Sequence, residues 1–390
     1  MEGVLAMVLA GGKGLRMDVL CRDRAKPALP IAAKHRVIDF TLTNCLNSGI
    51  NNAAIMLDYQ RESLETYLGQ SGVSGAFQGG IALLKPRSGS YVGTADAVFQ
   101  NLDYIGRHRP EAVLVLAGDH VYSMDYREML LFHKRMGADV TIGVMPVPLA
   151  DVSRFGIVET DEDGRILEFI EKPTVAAGNM ASMGIYVFRP DVLAEMLAVD
   201  AAESNSGHDF GRNIIPAMVR RHRCFAYRFE GYWRDIGTVE AYYQTNTEIA
   251  FGMSDFPPGH WPAAVRQQSD TLRTRHVGVV RRSIISPGCV VEGIVEDSVL
   301  SPGVKVESHA VVLNSIVMAN SIIGWRSVID RCIIDEDVHI GHGCAVGWGS
   351  ETGAAWGGII VLGRGAVIAD FAAVDCNRIE PKAIQVCASV

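Results

Sequence analysis

The chain has 390 residues, 48% hydrophobic and 21% charged, an ordinary globular composition with room for roughly two or three domains. A formal net charge of -8 excludes a generally basic surface for nucleic acid, so any nucleotide must be met by a local group of cations. Eight cysteines, at 21, 45, 224, 289, 332, 344, 376 and 387, form no C-x-x-C pair, which argues against zinc and disulfides and predicts reduced thiols in a cytoplasmic protein. The first apolar run, residues 4–10 (VLAMVLA), is too short for a membrane span and lacks the basic region of a secretory signal.

That run has the length of a buried strand, and it feeds Gly11, Gly12 and Gly14, where a backbone can bend and approach a ligand closely. Lys13, Arg16, Arg24 and Lys26 follow. Backbone N–H groups in such a turn suit phosphate oxygens, Arg16 can grip two of them, and Lys26 adds a point charge, the layout of a nucleoside triphosphate site. A dinucleotide fingerprint would need glycine where Met17 stands, and a Walker A loop would need Gly-Lys-Ser/Thr, which is absent. Three glycines alone would equally make a plain strand-to-helix turn; the cations on both sides favour the ligand.

Further along, residues 53–57, 113–117, 140–144, 166–170 and 185–188 read as strands, and 61–68, 126–136 and 239–251 as helices. This alternation over residues 1–252 predicts an α/β domain with a Rossmann-like, mostly parallel sheet, whose ligands sit beyond the carboxyl ends of the strands. Gly93, Thr94 and Asp96 open a helix, either beneath a ligand or as a plain capping turn. Residues 253–276, with the Pro- and Gly-dense stretch 254–262, read as a linker. From 277 to 390 the texture changes. Val304, Ala310, Ile316, Ile322 and Val328 recur every six residues, and Val338 and Cys344 resume the step, the signature of a left-handed parallel β-helix built from hexapeptide repeats. With no convincing catalytic histidine context, His339 and His342 included, those coils read as a stacking and oligomerisation domain.

Residues 9–27, 36–40, 44–50, 93–97, 116–120, 169–173, 181–186, 208–211 and 232–238 together resemble the sugar-1-phosphate nucleotidyltransferases, and specifically the glucose-1-phosphate adenylyltransferases. The likeness covers nearly the whole chain. It implies transfer of the adenylyl group of ATP to glucose 1-phosphate for glycogen or α-glucan synthesis, with Mg²⁺ on Asp119 and Asp235. It implies Arg16, Lys26 and Asp119 as catalytic residues, and Gly11, Gly12, Lys13, Gly14, Gly93, Thr94 and Asp96 around the nucleotide. Tyr91, Gly156, Glu171, Lys172, Ser182, Asp209 and Trp233 are the residues it implies for the sugar phosphate, and a homotetramer is the assembly. Without that context, Gly118-Asp119 reads as a turn and Glu171-Lys172 as an exposed ion pair.

The chain also departs from the family pattern. Ser90 and Val92 stand where relatives carry an aromatic residue and a cation, and residues 83–87 form a shortened loop. Asp23 stands at a position linked to a phosphorylated activator and usually occupied by lysine, which predicts weak activation by sugar bisphosphates. Asp58 stands where relatives carry glutamine. The readings these leave open are an active transferase, a catalytically weak regulatory subunit assembling with a related active one, and a transferase for another nucleotide or sugar.

Overall fold

The computed structural model describes residues 3–33, 35–175, 178–252, 274–347 and 358–374, with the backbone of 384–387. Two compact units divide the chain: Met1–Gly12, Phe40–Gly118 and Tyr122–Gly231 form the first, and Lys13–Asp39, Asp119–Val121 and Tyr232–Val390 the second.

The first unit is a sheet with helices. Its strands are β1 (Val4–Leu9), β2 (Asn52–Met56), β3 (Ile81–Leu84), β4 (Ala112–Ala117), β6 (Val140–Pro146), β7 (Gly156–Thr160), β8 (Ile166–Glu171), β9 (Met180–Phe188) and β10 (Cys224–Arg228), with β5 (His120–Tyr122) reserved for a separate two-stranded ribbon. The order is β8-β7-β9-β4-β1-β2-β3, with β6 joining β9 to β10. β3, β2, β1 and β4 run parallel, and the near-continuous apolar sequences of β2, β1 and β4 are buried on both faces, whereas the edge strand β3 is only partly covered. β9 reverses direction against β4 and β6. It also begins earlier than the apolar pattern suggests, at Met180, because a register shift between Ser182 and Tyr186 interrupts the alternation. The helix Tyr126–Met136 keeps the predicted bounds: the Asp125 carboxylate accepts the Arg127 N–H, and Gly137, with φ +52°, ends it.

The second unit contains the coils. Three six-stranded sheets, each strand two to four residues long and all pairings parallel except that of Ile384–Cys387 with Ile359–Leu362, stack around a core of Val306, Val312, Val317, Ile323, Ile329, Ile334 and Ile340, all fully buried. In the middle coils the hydrogen bonds that stack one coil on the next, such as Val338 N–H to Ser321 Oγ, join residues 17 positions apart, so one side of such a coil is a five-residue step. That is why the six-residue row drifts: Val304, Ala310 and Ile316 are buried, whereas Ile322 and Val328 are only partly so. Serines fill the corners the row leaves: Ser327 Oγ donates to the Gly341 carbonyl and accepts the Cys344 N–H, satisfying backbone groups of the next coil. The proposed linker stretch 254–262 lies outside the described residues. Among those residues six cysteines are unpaired and buried, and no helix is long and apolar enough to cross a membrane.

Candidate active site

Gly14 has φ +59°, a left-handed conformation that favours glycine, and an added Cβ would meet Cys21 Sγ at 3.0 Å. It caps a 3-10 helix, Leu15–Cys21, on which Arg16 is exposed while Met17, Val19 and Leu20 anchor the turn in the core. Gly12 and Lys13 are also exposed. In the first unit, Gly11 lies against Asp58, whose Cβ would sit 2.8 Å from an added Cβ.

The ribbon pairs β5 with β11 (Trp233–Asp235), and this pairing brings Asp119 and Asp235 together from segments remote in sequence. Lys26, on the one-turn helix Lys26–Ala28, donates to Asp119 Oδ2 at 2.7 Å and to Asp235 Oδ1 at 3.3 Å. Burial lowers the Lys26 pKa, but the two carboxylates outweigh it and hold the ammonium above its ordinary value. Burial would raise Asp119, yet Lys26 and then His120 pull it below the usual carboxylate range. Two carboxylates facing one ammonium leave a net negative site. Arg16 stands beside it, since a Cβ on Gly237 would lie 2.9 Å from both Arg16 Nη2 and Asp235 Oδ2.

His120 completes the group, with Nε2 at 3.7 Å from Asp119 and 3.8 Å from Asp235. The buried Trp233 indole donates to His120 Nδ1 at 3.3 Å. Indole nitrogen is only a donor, so Nδ1 accepts and the neutral ring carries its proton on Nε2, toward the carboxylates. The donor atoms of Asp119, His120 and Asp235 lie within 4.8 Å of one another, a grouping able to hold a metal ion. In this tautomer the oxygens are the available ligands, which suits a hard divalent cation.

A second set of expected residues gathers within the first unit. Glu171 ends β8, and its Oε2 occupies the space of two absent side chains: a Cβ on Gly156 would come within 2.9 Å of it, and one on Gly211 within 2.4 Å. Lys172 follows with φ +49°, rare for a side chain with a Cβ, and its ammonium lies 3.0 Å from Glu171 while remaining half exposed. Asp209 accepts from the Thr94 hydroxyl at 3.0 Å and from the Arg212 N–H at 3.0 Å, capping the π-helix Phe210–Ile214.

Other expected residues have structural partners. The Asp96 carboxylate accepts the Val92 N–H and the Gln100 amide. Gly93 leaves room for the His208 carbonyl, which accepts the Ala95 and Asp96 N–H groups at 2.8 and 3.3 Å. At the start of the helix Thr94–Phe99 those two donors are thus engaged by a backbone carbonyl. Tyr91 accepts a hydrogen bond from Asn101, and burial raises its phenol pKa. Ser182 is buried and bonds Tyr186 at 3.4 Å.

Sequence reasoning missed His120, although it adjoins Asp119, because its orientation depends on an indole 113 positions away. It also left Arg24 among cations facing a ligand. Arg24 is only 4% exposed and is engaged by Asp335 and Glu336.

The family description "Nucleotidyl transferase" matches residues 5–251, and "GlmU-like, C-terminal hexapeptide" matches 262–368. The chain is 43% identical to the glucose-1-phosphate adenylyltransferase of Thermomicrobium roseum, over 94% of this chain and 90% of that protein. It is 40% identical to that of Acetivibrio thermocellus, over 96% and 92%, and 40% identical to that of a Bacillus cereus strain, over 88% and 94%. With the lysine-bridged carboxylates and the repeat coils in place, these likenesses show that the chain belongs to the nucleotidyltransferase family and, within it, to the glucose-1-phosphate adenylyltransferases.

Proposed function

We propose that this chain transfers the adenylyl group of ATP to α-D-glucose 1-phosphate, giving ADP-glucose and diphosphate for α-glucan synthesis. The observation that carries the reading is the buried Lys26 ammonium set between Asp119 and Asp235 beside Arg16, in a chain of this family. A phosphate oxygen of the sugar attacks the α-phosphorus; one P–O bond forms there and the bond to diphosphate breaks, with no covalent enzyme intermediate. Little covalent work falls to side chains, so alignment and charge stabilisation supply the rate. Lys26, kept protonated by its carboxylates, and Arg16, exposed on its turn, oppose the charge on the reacting phosphates. Asp119 and Asp235 are the residues to hold Mg²⁺, which when bound neutralises phosphate charge. Glu171, seated by Gly156 and Gly211, accepts from sugar hydroxyls, and Lys172 meets the sugar phosphate. The assembly is a homotetramer, and the intact Lys26 group supports an active enzyme over a regulatory subunit.

Diphosphate release by the purified chain, scanned over nucleoside triphosphates and sugar 1-phosphates with Mg²⁺, tests this reading. ATP with glucose 1-phosphate should turn over fastest, and chelation should abolish the signal. No turnover with any pair, or a clear preference for another pair, would contradict it.

A further inference from the structure

The segment that carries Lys26 is gripped on both sides by one coil of the β-helix, wholly within the second unit. Two residues before Lys26, Arg24 Nη2 donates to Asp335 Oδ1 at 2.5 Å across 311 positions of sequence, and Arg24 Nη1 lies 3.5 Å from Glu336. Two residues after Lys26, the Ala28 carbonyl accepts from Arg36 at 3.1 Å, and the same Arg36 nitrogen lies 3.0 Å from Glu336. Arg364 meets the other Glu336 oxygen at 3.2 Å. The two carboxylates are firmly seated. The Asp335 N–H donates to the Leu362 carbonyl and the Asp335 carbonyl accepts from Ser321, which ties the residue to the coils on either side.

Stability alone does not account for this arrangement. Arg24 and Asp335 are 4% and 1% exposed, and among the described residues Arg24 Nη1 and Asp335 Oδ2 have no hydrogen-bond partner. A buried ion pair left partly unsatisfied contributes little or nothing compared with apolar residues of similar volume. What it supplies instead is direction, because a charge-assisted bond fixes where its partner's backbone runs. The backbone so fixed sets the turn from which Lys26 reaches Asp119 and Asp235.

We propose that Asp335 and Glu336 are positioning residues for adenylyl transfer, acting through Arg24 and Arg36 to hold the turn of Lys26 in its reactive placement. The coil is then part of the catalytic apparatus as well as a stacking surface. This rests on Lys26 serving the reaction as proposed above.

The test uses the full-length chain. Arg24→Met with Asp335→Leu removes both charges together, so the double variant should keep its thermal midpoint. A small displacement of a catalytic group is enough to slow the reaction, so kcat should fall at least ~10-fold while the KM values for ATP and glucose 1-phosphate stay within about 2-fold. A folded double variant with wild-type kcat overturns the proposal. If it folds poorly, the isosteric Asp335→Asn decides, measured in wild-type and Lys26→Ala backgrounds. A loss in the first that vanishes in the second marks action through Lys26, whereas equal losses in both mark a general structural role and overturn the proposal. Lys26→Ala alone separates the two readings. Normal activity there refutes the role of Lys26 itself, and a crippled Lys26→Ala beside a normal Asp335→Asn refutes only the role of the coil.

Discussion

Lys26 and Lys172 are both lysines beside carboxylates, yet their surroundings differ in kind. The side chain of Lys26 is 8% exposed and bridges two carboxylates from remote segments; that of Lys172 is 48% exposed and pairs with its own neighbour, Glu171. A buried ammonium held by two anions cannot readily move or lose its proton, so it is suited to act as fixed electrostatics for a transition state. An exposed ammonium on a left-handed backbone can turn to a ligand and loses little by exchanging Glu171 for a phosphate. Under the function proposed above, the contrast assigns the same residue type to rate in one place and to binding in the other.

The largest expected effect comes from breaking the buried side of that contrast. Asp119→Asn keeps the shape but removes a charge facing Lys26, and kcat should fall at least ~100-fold with the fold intact. Near-normal turnover in a folded variant would remove Asp119 from the chemistry.

On the exposed side, Gly211→Ala should act through Glu171. The added methyl would lie 2.4 Å from Glu171 Oε2, so the carboxylate must shift. We expect roughly a 10-fold rise in KM for glucose 1-phosphate, corresponding to about 1.4 kcal/mol of lost sugar binding. KM for ATP should change far less, and an equal rise in both would show that Glu171 does not face the sugar alone.

The legibility of these features followed their range in sequence. The Gly14 turn, the helix capped by Asp125 and Gly137, and the hexapeptide texture depend on neighbours a few residues apart, so local chemistry announces them. Lys26 stood out locally as a cation following the glycine turn, whereas Asp119 and Asp235 were singled out only through the surrounding family blocks, because nothing local distinguishes Gly-Asp from an ordinary turn. The pairing of Arg24 with Asp335 had no local signal at all. A six-residue period marks which coil residues turn inward, and even that drifts where a coil has 17 residues, but it cannot say which arginine will meet a given corner.

The smallest effect is one of stability against pH. Burial would raise the Glu336 carboxyl, but Arg24, Arg36 and Arg364 together hold it below its ordinary value of 4.5. Its folded pKa is therefore the lower one. Its stabilising contribution is fully present above about pH 4.5 and is lost as pH falls through the folded value. Thermal midpoints of wild type and Glu336→Gln should differ near neutrality and converge below that pH; a constant gap would mean that Glu336 does not titrate with folding.

The division of labour between the two lysines is tested most directly by steady-state kinetics of Lys26→Ala and Lys172→Ala, varying ATP and glucose 1-phosphate in turn. Lys26→Ala should lose at least ~100-fold in kcat. Lys172→Ala should keep kcat within a few-fold while its KM for glucose 1-phosphate rises ~10-fold or more and its KM for ATP holds. The same pattern of losses in both variants, or a kcat effect confined to Lys172→Ala, would contradict it.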